Sequence, residues 1–283
     1  MHDLTIFDET FDINNTVNYN LSIQILPDCF TCSIFDTIRN KFIGLKHFYF
    51  GKDIPQDSYN EIISNILKGE EILIRRYKSI KILMFSNRFT IIPSALFQEN
   101  SKELYFQFNN VADPEILITN QYKNIDAHII FGVNDSLKKT IDSFFNNAQF
   151  FHQSVPLVYE NLMINKNKLS SPKVFVNLNS VYYDLAVLVN NNLELFNCFK
   201  YTNNEDFMYF LMYVYEHLKL DPENIPITIS GDIERKSELV THIEQFIKNV
   251  NFSLFPRSFM FSYHYKQLDE HVFSNLFYLE KCG

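Results

Sequence analysis

The clearest pattern in the chain runs from residue 173 to residue 200. Val174, Val176 and Leu178 alternate with Phe175, Asn177 and Asn179, a period of two that predicts a strand. Asn179-Ser180 and Asn190-Asn191-Asn192 then read as turns, because asparagine tolerates positive φ and bonds its own backbone. The stretch predicts a meander of three antiparallel strands. A second meander is expected near the N-terminus. There Tyr19, Leu21, Ile23 and Ile25 alternate with polar residues, Phe30, Cys32 and Ile34 follow after Pro27-Asp28, and residues 42–50 follow a turn at 36–40.

Between the meanders the pattern predicts a helix opened by a Ser58–Glu61 capping box and closed at Gly69. Strands are expected at 80–85 and 89–92, short strands at 104–108 and 115–120, and a strand at 125–131. Asn134-Asp135 opens a helix carrying Leu137, Ile141, Phe144 and Phe145, and a strand at 149–153 and a helix at 155–163 follow. Polar residues 165–172 read as a linker. After the second meander come a helix with Phe207, Phe210, Leu211, Val214 and Leu218 on one face, a strand at 226–231, a helix burying Leu239 to Val250, a strand at 252–255, and a last helix capped by Asp269. The order predicts an α/β (α+β) protein of two duplicated βββαβαβα halves: an N-terminal arm at 1–17, a first lobe at 18–168 with an insertion at about 94–147, and a second lobe at 169–283.

Composition narrows the function classes. The 283 residues, 46% hydrophobic and 20% charged, suffice for two cores. A net charge of −8 argues against nucleic acid or an anionic membrane as a general partner. The short basic runs, Arg75-Arg76-Tyr77-Lys78 and Lys138-Lys139, read as solvated faces. Asp3, Asp8, Glu9 and Asp12 are unlike a signal peptide, and no apolar run reaches about 18 residues, so a cytoplasmic protein is expected. The 29 phenylalanines and 16 tyrosines, with no tryptophan, read as core filling, since base-stacking platforms need a basic groove as well. Cys29-Phe-Thr-Cys32 lies on an expected strand, where positions three apart face opposite ways. With no further ligand pair it reads as neither a redox nor a zinc site. His264 has no visible partner, and Asp184 alone could serve as an acid. No metal site and no catalytic residue is assigned.

Two lobes that each open with a three-stranded meander resemble the actin, sugar-kinase and heat-shock chaperone ATPase superfamily. Within it the chain looks most like the branch of the bacterial division actin, the type IV pilus assembly protein and the cytoplasmic scaffold of type II secretion. Arg88-Phe-Thr-Ile-Ile-Pro93, the plan of residues 131–163, and residues 174–189 at the place of the second phosphate motif carry the resemblance. A bacterial family of uncharacterised members with this fold is also implied.

The resemblance implies an Asp that positions magnesium and a Gly that admits phosphate in each meander, and a strand ending in two glycines at the adenosine. Gln24 and Leu26 stand in the first pair of positions, Asn177 and Asn179 in the second, and Gly231-Asp232 at the third. Asp28, Ser180 and Asp184 are the remaining polar candidates, so the candidate ligand set is Asp28, Asn177, Asn179, Ser180, Asp184, Gly231 and Asp232. Without the carboxylates and glycines, neither ATP nor magnesium is expected as a cofactor, because charge stabilisation is most of what a phosphoryl-transfer site supplies. Asn177 and Asn179 read better as formers of a turn and a sheet edge than as ligands. The reading is a non-catalytic, actin-like scaffold with an unidentified protein partner. The alternative is an enzyme or switch that binds ATP or another phosphorylated ligand through Asp28, Ser180 and Asp184.

Overall fold

The computed structural model describes residues 3–52, 54–110, 115–122, 125–164 and 172–283. The linker expected at 165–172 lies, except for Pro172, outside the described residues. The chain forms two compact units, one of Met1–Val155, Arg257–Gln267 and Leu279–Gly283, the other of Pro156–Pro256 and Leu268–Tyr278.

In the first unit β1 (Leu4–Phe7), β2 (Tyr19–Ile25), β3 (Cys29–Asp36) and β4 (Lys41–Tyr49) precede helix α1 (Gln56–Gly69) and β5 (Ser79–Met84). Then come β6 (Phe89–Pro93), α2 (Lys102–Asn109), β7 (Glu115–Gln121), β8 (Ala127–Asn134), α3 (Asp135–Phe144) and β9 (Gln149–His152). The main sheet runs β1-β4-β3-β2-β5-β9, and β6-β8-β7 form a separate three-stranded sheet. The β3–β4 turn forms because Asp36 Oδ1 accepts the Ile38 and Arg39 N–H groups at 2.9 and 3.0 Å and Asn40 takes φ 53°. Leu21, Ile23 and Ile25 of β2 meet Ile63 and Leu67 of α1 in the core, where every one of them is buried.

The second unit begins in helix α4 (Ser154–Ile164) and continues through β10 (Lys173–Leu178), β11 (Tyr182–Val189), β12 (Asn192–Lys200), α5 (Asn204–His217), β13 (Ile227–Gly231), α6 (Glu238–Phe246) and β14 (Val250–Phe252). Its sheet runs β12-β11-β10-β13-β14, the order of β4-β3-β2-β5-β9 in the first unit. The β11–β12 turn places Asn190 and Asn191 at φ 50° and 63° between the paired Val189 and Asn192, as a tight hairpin with matching twist demands. Val174, Val176 and Leu178 face the core beneath α5 and α6, and Asn203 caps α5 by accepting the Asp206 N–H at 2.7 Å. The chain then adds β15 (Met260–Phe261), parallel to β4, to the first unit and α7 (Ser274–Tyr278) to the second.

Several element expectations need correction. Residues 104–108 form part of helix α2, not a strand. Leu104 and Phe108, four apart, are both exposed while Phe106 is buried, whereas a strand would put all three on one face. Ser58 does not cap α1, because the helix starts at Gln56 behind Pro55, whose φ −58° and ψ 144° set the entry. Part of the expected arm, Leu4–Phe7, pairs antiparallel with β4. Val250 opens β14 rather than extending α6, which stops at Phe246. Asp269 pairs with Arg235 at 3.1 Å and leaves α7 to begin at Ser274.

Candidate functional site

The candidate residues of the second unit collect at the ends of β10 and β13 and the start of β11. Asn177 of β10 is level with Asp184 of β11 on one side and Ser230 of β13 on the other, and Asp184 is level with Cys198 of β12. Side chains level on neighbouring strands share a face, so Cys198, Asp184, Asn177 and Ser230 form one polar row, opposite the face of Val176 and Leu178. Asn177, Asp184 and Ser230 are all buried. The Ser230 hydroxyl donates to Asn177 Oδ1 at 3.0 Å and to the Val176 carbonyl at 3.2 Å. Burial first, and then the Asp184 carboxylate beside it, pushes the Cys198 thiol well above its usual range, so Cys198 is a protonated and poor nucleophile.

Asn179 is spent on its turn. Its Oδ1 accepts the Val181 and Tyr182 N–H groups at 3.0 and 2.8 Å, its N–H donates to the Tyr182 carbonyl at 3.0 Å, and its carbonyl accepts the Tyr201 hydroxyl at 2.7 Å. The first unit repeats this with different side chains. The Leu26 N–H donates to the Cys29 carbonyl at 3.0 Å, and the Leu26 carbonyl accepts the Tyr59 hydroxyl at 2.9 Å. In both meanders the amide that would meet a phosphate therefore already bonds a carbonyl, and the neighbouring carbonyl sits under a tyrosine.

Gly231 has φ 92°, and a Cβ built there would lie 2.0 Å from the Leu178 carbonyl oxygen. Its glycine is required by the approach of β13 to β10 and needs no ligand to explain it. The N–H of exposed Asp232 donates to the Leu178 carbonyl at 2.9 Å. Ser180 sits half-buried in the turn. Asp28 belongs to the first unit, where it is buried in the β2–β3 turn and its carbonyl accepts the Phe50 N–H at 3.0 Å. The structure thus brings six of the seven candidates together in the second unit and places Asp28 in the other. Among the described residues no group of three or more His, Cys, Asp or Glu side chains could hold a metal ion.

Some site residues escaped the sequence reading. Ser230 was legible from parity, since Ile227 and Ile229 face the core and Ser230 must face the other way. Glu160 is the one acid in the apolar helix Ser154–Ile164 and is wholly buried. Tyr59 and Tyr201 carry no such signal, because their targets are main-chain carbonyls distant in sequence.

A family model described as "Protein of unknown function (DUF3822)" matches residues 8–250. No curated protein matches the chain. Among solved structures, a Bacteroides thetaiotaomicron protein with actin-like ATPase fold and unknown function superposes with a TM-score of 0.78 at 26% identity, covering 86% of this chain and 94% of that one. The PilM–PilN type IV pilus biogenesis complex gives 0.60 at 8% identity, over 94% and 98% of the two chains. The ethanolamine utilization protein EutJ from Carboxydothermus hydrogenoformans gives 0.50 at 8% identity, over 94% and 90%. The chain has the actin-like ATPase fold that the two meanders led us to expect.

Proposed function

We propose that this chain, which belongs to the DUF3822 family of proteins of unknown function, is a non-catalytic actin-like scaffold that works by binding another protein. The observation that carries the reading is the state of the two phosphate turns. The Leu26 and Asn179 amides are bonded within their own hairpins, and the positions that would hold magnesium carry Gln24 and Asn177. A phosphoryl-transfer site works by charge stabilisation from amides, lysines and metal-bound carboxylates, so a site without these has little to offer a triphosphate. The likeness to a protein solved as a complex with its pilus partner supports a role in assembly, without naming the partner. Among the described residues no helix is long and apolar enough to cross a membrane, which suits the proposed cytoplasmic scaffold.

The proposed origin is a duplicated lobe, 18–168 and 169–283, with about 94–147 inserted in the first. The equal strand order of the two sheets supports it, and so does the register, since Gln24 pairs with Thr31 as Asn177 pairs with Asp184, seven residues on in each case. Affinity capture from the native cell tests the function. The wild type and Asp184→Ala should retain the same partner, with or without added ATP and magnesium. A partner that is lost with Asp184→Ala, or held only with ATP, would return the polar row to a ligand-binding role.

A further inference from the structure

Glu160 is a buried acid outside both turns. It lies on α4, wholly buried at 0% exposure, between Leu157, Val158 and Leu162, all buried too. Neither carboxyl oxygen has a hydrogen-bond partner within bonding distance among the described residues. Two other elements of the same unit reach it. Ser253 directly follows β14, anchored by its N–H to the Ile229 carbonyl at 2.9 Å, and Ser274 opens α7. These two hydroxyls are the groups that act on its proton, and no charged side chain on either element does. His271, before α7, turns its Nε2 to the Ile233 carbonyl at 2.7 Å and is kept neutral by burial.

The placement matters because α4 is the helix by which the chain first enters this unit and α7 the helix by which it last leaves it. We propose that Glu160 is a proton-operated clasp: with its proton on, α4, the β14 exit and α7 close around a neutral acid, and with its proton off they loosen together around a buried charge. A buried carboxylate with two hydroxyls but no counter-ion acting on it costs several kcal/mol, and the chain can avoid that cost only by keeping the proton or by opening to water. Burial moves the Glu160 carboxyl up to about 8, against the smaller opposing pull of the two serines.

A carboxyl whose folded pKa is raised contributes stability that is whole below the ordinary glutamate range, declines as pH rises, and is gone above pH 8 or so. In that window the folded chain holds a proton that the unfolded chain has lost. Denaturant unfolding of the full chain from pH 5 to 9 tests the clasp in the wild type and Glu160→Gln. The wild-type unfolding constant should climb about tenfold more per pH unit than that of Glu160→Gln up to pH 8, and the two should run parallel above it. Parallel curves throughout would overturn the proposal. Should Glu160→Gln not fold, hydrogen exchange on the wild type decides. Corrected for intrinsic rates, protection of α4 and α7 should fall together between pH 6 and 9 while α5 stays protected, and unchanged protection would overturn the clasp. A rise in wild-type stability on adding potassium, magnesium or calcium at pH 8 would also overturn it, in favour of a cation site.

Discussion

At the scale of single residues, two of the candidate ligand positions each have a local structural cause. Asn179 holds a hairpin with its own Oδ1, and Gly231 is glycine because a carbonyl lies where its Cβ would be. Gly231→Ala should therefore destabilise the second unit by about 3 kcal/mol, from a strained positive φ added to a clash with backbone. Denaturant titration checks this, and a cost below about 1 kcal/mol would mean that the β13 end relaxes easily. The turn role of Asn179 was legible in the sequence, since asparagine before serine between two apolar alternations is turn chemistry. The tyrosines that cover the two turn carbonyls were not, because a hydrogen bond from Tyr201 or Tyr59 to a carbonyl more than twenty residues away depends on packing that no local pattern encodes.

At the scale of elements, the meanders and their following helices were readable because each has one buried face and a period to match. Helix α2 was not, because alternating Leu104, Phe106 and Phe108 fit a strand while contact with β6 favours a helix. The three-stranded sheet is tied to the main sheet of its unit by a buried polar network. The Ser86 hydroxyl donates to the Gly132 carbonyl of β8 at 2.8 Å, and Asn120 of β7 donates to the Phe150 carbonyl and accepts the His152 N–H, both at 2.8 Å. His152 Nε2 donates to the Ser86 carbonyl at 2.9 Å, which leaves Nδ1 to accept from the Ser154 hydroxyl at 2.8 Å, and that hydroxyl also meets Tyr122 at 2.7 Å. Burial moves the His152 ring down to about 3, so the folded chain keeps it neutral. A base with a lowered folded pKa costs stability as pH falls below its ordinary value near 6.5, so this unit should weaken steadily between pH 6.5 and 3. His152→Gln should flatten that acid limb while costing about 1–3 kcal/mol at neutral pH for the lost hydrogen bonds. An acid limb of unchanged slope in unfolding monitored from pH 7 to 4 would mean that His152 does not carry it.

At the scale of the whole molecule, the strand order repeated in two sheets was visible as two meanders in one sequence, and it led to the fold. The ATPase-like fold does not by itself bring ATPase chemistry, since function resides in particular side chains placed on a common frame. Here those positions hold Gln24, Leu26, Asn177 and Asn179, and the structure gives each turn amide a partner of its own. The most direct test of the central claim is titration calorimetry of the full chain with ATP and magnesium. Heats no larger than dilution at ligand concentrations up to the millimolar range are predicted, for the wild type and for Asp184→Ala alike. Saturable micromolar binding by the wild type that Asp184→Ala abolishes would contradict the account and make the polar row of the second unit a nucleotide site.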